Sequence, residues 1–154
     1  HNDVLMLYEA NGSNLQQDVR QAVFSPSNKN ITYMDFNNVE YRITDASKVD
    51  ASNKFWSINY FWPGDKKLLK PGRDRILGKV RAGKSHSNSD AVERLIEFEI
   101  KNNKITTSDK EPIQLVLDVE ASRNWESIVR LDDKGLLIAT DKYPKMILGF
   151  VPFK

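Results

Sequence analysis

The chain has 154 residues, 40% of them hydrophobic and 29% charged, with a formal net charge of +2 at pH 7. That is enough apolar material for one core and too little for two, and the near-balance of charge gives no overall field that would draw in nucleic acid. The absence of cysteine excludes a disulfide scaffold, a thiolate zinc site and a cysteine nucleophile, while the longest apolar runs, such as Met146–Val151, fall far short of a membrane-spanning helix.

Taken in chain order, the pattern predicts strands. The chain opens on His1-Asn2-Asp3 without a Met, which fits a mature or cut product. Val4–Ala10 is a continuous apolar run closed by the turn pair Asn11-Gly12. Asn14–Ala22 is polar, with weak helical character at best. Ile31–Phe36 and Val39–Ile43 alternate around Asn37-Asn38, which reads as a hairpin. Phe55–Trp62 is a strand dense in aromatics, ended by Pro63-Gly64. Within Ala91–Ile100, Val92, Leu95, Ile96 and Glu99 suit a helical face, but Leu95–Ile100 alternates. The β-type residues and the Asn102-Asn103 turn into Lys104–Thr107 favour a hairpin. Ile113–Asp118, Ile128–Leu131, Leu136–Asp141 and Met146–Pro152 are four further strands. The fold class is therefore all-β, in one domain over 1–154.

One segment occurs twice. Residues 44–60 register on residues 125–142 with one residue inserted in the second turn. Asp45 falls on Glu126, Val49 on Arg130, and Trp56-Ser57-Ile58-Asn59 on Ile138-Ala139-Thr140-Asp141. Each copy is an acid, a short strand, a polar turn, an apolar strand and a terminal Asn or Asp. A long insertion of about 63–91 follows the first copy, and removing it leaves a period near the ~40–50 residues of a propeller blade. Such a unit cannot bury its apolar faces alone and needs neighbours.

The insertion is rich in Gly, Lys and Ser and reads as a long loop. Gly78–Ser85 (GKVRAGKS) matches the phosphate-binding pattern G-x-x-x-x-G-K-[ST]. That chemistry needs a buried strand before the first Gly and a helix opening at the Lys-Ser pair. Neither is present, because Arg73–Leu77 is too charged for a central parallel strand and Ser85–Asp90 opens a helix poorly. No nucleotide is expected. The loop is also basic, so Arg73, Arg75, Lys79, Arg81 and Lys84 form either a solvated loop or an anion clamp for a phosphate or sulfate group. His86, alone at its end, fits an exposed residue better than a catalytic one.

Asp45 and Glu126 are expected to begin equivalent inner strands, and Asn59 and Asp141 to end the strands that follow. In a radial array such groups converge on one axis, where several oxygens suit Ca²⁺ or Mg²⁺. They equally suit turn closure. Trp125 and the apolar strand beside Glu126 imply partial burial of that carboxylate, which then needs a partner. Arg123 and Arg130 are the nearest bases in sequence. Tyr60 and Trp62, with Trp56 and Phe61, are candidate stacking platforms.

The stretch Asn124-Trp125-Glu126, Ile128–Leu131 and Gly135–Pro144 resembles a blade of the phytase-like ("esterase-like activity of phytase") β-propellers. Asp45–Ser47 to Phe55–Phe61 is similar to an adjacent blade. Ser127 stands where the family usually has Gly. The resemblance covers about Ile31–Phe153. It implies a six-bladed propeller of which this chain holds a C-terminal portion, about two blades plus one strand, with N-terminal blades supplied by the same protein or a second chain. It further implies a secreted, periplasmic or lipid-anchored bacterial protein. Its central polar site would hold Ca²⁺ through Glu126 and Asp45, act as a metal-dependent phosphoesterase or other ester hydrolase, and take an anionic small molecule. The alternative is a non-catalytic propeller that binds glycan or protein.

Overall fold

A computed structural model of the chain describes residues 2–76, 89–117, 122–141, 143 and 145–153. It is mostly β, in two sheets. The strands, in chain order, are β1 (Val4–Met6), β2 (Ala10–Asn11), β3 (Arg20–Ser25), β4 (Asn30–Phe36), β5 (Tyr41–Ala46), β6 (Lys54–Phe61), β7 (Val92–Lys101), β8 (Lys104–Thr107), β9 (Ile113–Gln114), β10 (Trp125–Leu131), β11 (Gly135–Thr140) and β12 (Leu148–Pro152). The larger sheet runs β1-β3-β4-β8-β7-β6-β5-β2, with β9 also on β7, and the smaller runs β10-β11-β12. Among the described residues only β4 and β8 pair in parallel. Among the described residues no helix is long and apolar enough to cross a membrane.

The larger sheet curls into a half-barrel, and its connectivity explains why. β1 and β2 lie at opposite ends of the strand path, yet only Leu7–Glu9 joins them. At ~3.3–3.6 Å per residue the link is short, so the two ends must approach each other. This also corrects the expected single strand Val4–Ala10. The run splits because Met6 still pairs on β3, whereas the Glu9 carbonyl already accepts from Ile43 N–H on β5.

Inside that path, β5-β6-β7-β8 is a four-stranded antiparallel meander. Its turns are written locally. Asp50 Oδ1 accepts from the Ser52 and Lys54 amides at 2.8 and 2.9 Å, closing a turn in which Asn53 adopts a φ of 58°. Asn102 and Asn103, with φ of 52° and 58°, form the two-residue turn that Asn accepts best after Gly. Here the strand reading of Ala91–Ile100 holds. The hairpin expected around Asn37-Asn38 does not form. β4 turns back onto β3 through Pro26–Lys29 instead, with Lys29 at a φ of 55°, and the chain crosses to β5 before pairing again.

Two apolar cores result. Phe36, Ile43, Phe55, Ile96, Phe98 and Ile105, with Val19 and Val39, fill the concave side of the curl. Trp56, Ile58, Tyr60 and Leu95 pack against Trp125, Ile128, Leu136 and Ile138 of the smaller sheet. β6 is covered on both faces, which accounts for its aromatic density. Burying an aromatic of ~150–250 Å² at ~25 cal/mol per Å² contributes about 4–6 kcal/mol before entropy is counted.

The sequence repeat appears as a pair of matched hairpins in different sheets. β5–β6 carries a bulge between Ile43 and Ala46. β10–β11 carries one between Trp125 and Ser127. The next pair after each bulge is Ala46 with Ser57 and Ser127 with Ala139, which are equivalent positions in the repeat. Asp45 and Glu126 therefore both sit in a bulge. Glu126 does so at the start of β10, as expected. Asp45 does so at the end of β5, because the pairing of that strand already begins at Tyr41.

The described part of the long insertion is a single 3-10 turn at Pro63–Asp65, the one-turn helix α1 (Lys66–Leu69), the segment to Ile76, and residues 89–91 leading into β7. Leu69 is buried with Tyr41, Phe61 and Val92. Arg94, fully buried, binds Asp74 through both terminal guanidinium nitrogens at 2.7 and 3.2 Å and so ties this segment to the sheet. Lys79, Arg81, Lys84 and the whole Gly78–Ser85 lookalike lie outside the described residues.

Candidate functional site

An open cleft of about 670 Å³ lies where the two sheets meet, lined by Glu9, Arg42, Tyr60, Trp62, Asp65, Ser122, Asn124, Glu126 and Tyr143. Each wall is placed by the fold. Arg42 and Tyr60 are partners in the β5–β6 ladder. Trp62 and Asp65 follow directly as β6 ends in the 3-10 turn. On the other side the β10 bulge separates two neighbours. Trp125 goes into the core, its indole N–H donating to Glu93 Oε2 at 2.8 Å, while the extra residue, Glu126, is left to line the cleft.

Trp62 is the most exposed tryptophan in the chain, at 52%, whereas Trp56 and Trp125 are at 2% and 3%. Its ring lies over Gly64, where a Cβ would stand 2.3 Å from the ring atoms. The glycine thus lets the indole fold back flat over the turn. Tyr143, 60% exposed, offers a second aromatic face.

The charges are uneven. Arg42 donates from Nε to Asp65 Oδ2 at 3.0 Å, and its other nitrogens reach Asp65 and Glu9. Burial acts to lower the Arg42 pKa, but the bonds from Asp65 and Glu9 raise it above its ordinary value. Glu126 is pushed up from the ordinary carboxylate value, first by burial and then by the charges of Glu9 and Asp141. A side-chain hydrogen bond with Asn124 and the Arg42 charge oppose that rise. The Tyr60 hydroxyl is pushed up to about 12, chiefly by burial, with Glu93 and Asp65 adding to it, so it stays protonated and able to donate.

The other residues singled out from sequence fall elsewhere. Asp45 Oδ2 accepts from Ile128 N–H at 2.8 Å across the two sheets, and the neighbouring Thr44 hydroxyl donates to the Trp125 carbonyl at 2.5 Å. Asn59 is fully buried. Its amide donates to the Glu40 and Arg42 carbonyls at 2.9 and 3.0 Å, and its Oδ1 accepts from Arg94 Nε at 2.8 Å. It therefore clamps the backbone on both sides of Tyr41, which holds a φ of 79°, uncommon for a bulky side chain. Asp141 Oδ1 accepts from Tyr143 N–H at 3.0 Å, closing the turn that presents Tyr143. Arg73 and Arg75 are exposed and outside the cleft.

The two arginines nearest to Glu126 in sequence are engaged with other acids. Arg123 binds the fully buried Glu93 through Nε at 3.0 Å and through its backbone N–H at 2.8 Å. Arg130 binds Asp50 at 2.5 Å. Arg42, from the other sheet, is a basic group whose charge acts on Glu126.

A calcium ion takes six to eight oxygens. Among the described residues no three His, Cys, Asp or Glu side chains form a group that could hold a metal. Asp45, Asn59 and Asp141 each spend an oxygen on a protein N–H, and of the four expected oxygen ligands Glu126 alone lines the cleft. Sequence reasoning missed Glu9, Arg42, Asp65, Asn124 and Tyr143 as site residues. Arg42, the single basic residue of its strand, is the one that carried a local signal. No family model matches the chain, and no curated protein or solved structure matches it.

Proposed function

We propose that the cleft binds a glycan and that the chain is a binding module. The observation that carries this reading is the exposed Trp62 and Tyr143 beside a polar floor of Arg42, Asn124 and Glu126. An aromatic face stacks on the apolar C–H face of a sugar ring, and carboxylates, amide and guanidinium take its hydroxyls. The volume falls within the ~300–1,000 Å³ of small-molecule sites. The periplasmic or extracellular setting implied by the family resemblance suits such a ligand. Calorimetric titration with an oligosaccharide panel is the test. Trp62→Ala should weaken binding about tenfold at unchanged stability, and an unaltered affinity would remove the cleft from the account.

A metal-dependent phosphoesterase or other ester hydrolase is the second reading. It rests on the phytase-like resemblance, with Glu126, beside Asn124, the one cleft oxygen among its expected ligands. Its test is a Ca²⁺ titration: a chelator-reversible rise in melting temperature supports it, and no rise opposes it. For the architecture, the matched bulges and the four-stranded meander support a blade for β5–β8 and three strands of a second in β10–β12, with further blades from the same protein or another chain. One observation stands against a radial array. A rotation stacks sheets front to back, whereas the matched residues Trp56 and Ile138 share one core.

A further inference from the structure

We infer that the ligand of this cleft carries a positively charged amine, so that the site selects amino sugars with a free ammonium over neutral, N-acylated or anionic ones. The inference rests on the glycan reading above and adds to it the charge of the sugar.

Among the described residues the lining holds three carboxylates, Glu9, Asp65 and Glu126, against one base, Arg42, which gives these four groups a formal charge of 1 − 3 = −2 when all are ionised. The base is not a receptor for anions, because Glu9 and Asp65 already hold its guanidinium from both sides. A sulfate or phosphate on the ligand would meet an engaged arginine and three carboxylates. A neutral sugar would leave the like charges facing one another. An ammonium relieves them, and its three N–H groups can be accepted by carboxylate oxygens that Arg42 leaves free.

The aromatic groups point to the same chemistry independently of the acids. The π faces of Trp62 and Tyr143 attract a cation as well as the apolar face of a ring, and tryptophan does so best. Tyr60, kept protonated, serves as donor or acceptor to a neighbouring hydroxyl. Asp141 lies outside the lining but adds its field at Glu126. Entry of a cation favours the ionised form of Glu126, which the empty cleft disfavours, so cation binding and ionisation of Glu126 support each other.

The test compares three tetrasaccharides on the intact chain at about pH 6, where sugar amines are charged: tetraglucosamine, its fully N-acetylated form, and cellotetraose. Tetraglucosamine should bind at least about tenfold more tightly than the other two. Glu126→Gln should reduce that ratio toward one without loss of fold by circular dichroism, and Trp62→Ala should weaken all three. Equal binding of the three sugars would overturn the charge selection while leaving the glycan reading standing. Binding of none would overturn the glycan reading itself. Tetralysine binding as tightly as tetraglucosamine would show that charge alone is read and would overturn selection of a sugar.

Discussion

The two hairpins have the same local design and put it to opposite uses. In each, a bulge places an acid where the strand leaves its ladder. In β5–β6 that acid, Asp45, is spent on the backbone of the neighbouring sheet. In β10–β11 the equivalent acid, Glu126, lines a cleft. The matched residues of the following strands diverge likewise, since Asn59 is buried and fully hydrogen-bonded while Asp141 is exposed and closes a turn. What differs is the surroundings. The β5–β6 hairpin is covered on both faces, by the concave core and by the smaller sheet. The β10–β11 hairpin is covered on one, leaving Val129 56% exposed and Phe150 on the adjacent β12 at 53%. A bulge with an acid is a neutral device, and the number of covered faces decides whether the acid is spent on structure or left to line a cleft.

Substitutions at equivalent positions should break this comparison if it is wrong. The largest effect is expected at Asn59. Asn59→Ala strips partners from the Glu40 and Arg42 carbonyls and from buried Arg94, at ~1–3 kcal/mol for each unsatisfied group, so urea unfolding should show a loss of about 3–5 kcal/mol. Asp141→Ala should cost less than about 1 kcal/mol. Equal losses at the two positions would erase the distinction.

Gly135 comes next. It holds a φ of +155°, and a Cβ there would lie 2.3 Å from the Val151 carbonyl oxygen, a backbone atom. Gly135→Ala should cost about 2 kcal/mol or more and lower the melting temperature. Gly64→Ala, whose Cβ would meet only the movable Trp62 ring, should leave stability nearly unchanged while weakening ligand binding.

The acids in the bulges follow. Asp45→Ala leaves the Ile128 N–H without its acceptor and should cost about 1–2 kcal/mol in urea unfolding. Glu126→Gln should cost nothing at neutral pH, and its pH dependence carries the sign. Because the folded protein raises the Glu126 pKa above 4.5, the contribution of this group to stability is fully present below that value and is lost as pH rises through the raised one. The stability of Glu126→Gln relative to the parent should therefore grow across that window and then level off. Asp50 runs the other way. Burial, its largest influence, acts to raise its pKa, but the Lys54 and Ser52 amides and Arg130 bring it below 3.8. That stabilisation is present above 3.8 and is lost as pH falls through the lowered value.

Much of this was legible in the sequence where the determinants are local. The aromatic-rich strand at Phe55–Phe61, the Asn102-Asn103 turn and the pairing of the two repeat copies as matched hairpins all appear as read. The parity of β6 even held the fate of Asn59, since Phe55, Ser57, Asn59 and Phe61 share a face and two of them are large apolar residues. What sequence could not show was non-local. The half-barrel follows from β1 and β2 meeting opposite ends of one sheet, and no pattern within Val4–Asn11 says so. The cleft gathers Glu9, Arg42 and Asp65 from segments about 20–60 residues apart, each of them ordinary in its own window.

The measurement that bears most directly on the central claim uses Trp62 as reporter, since Trp56 and Trp125 are buried and Trp62 is half exposed. Tetraglucosamine is titrated into the parent chain, Asp45→Asn and Glu126→Gln, and tryptophan fluorescence is followed in each. The account predicts that Asp45→Asn binds as the parent does despite some loss of stability, while Glu126→Gln keeps its stability and loses about tenfold in affinity. Equal weakening by the two variants, or full affinity in Glu126→Gln, would contradict it.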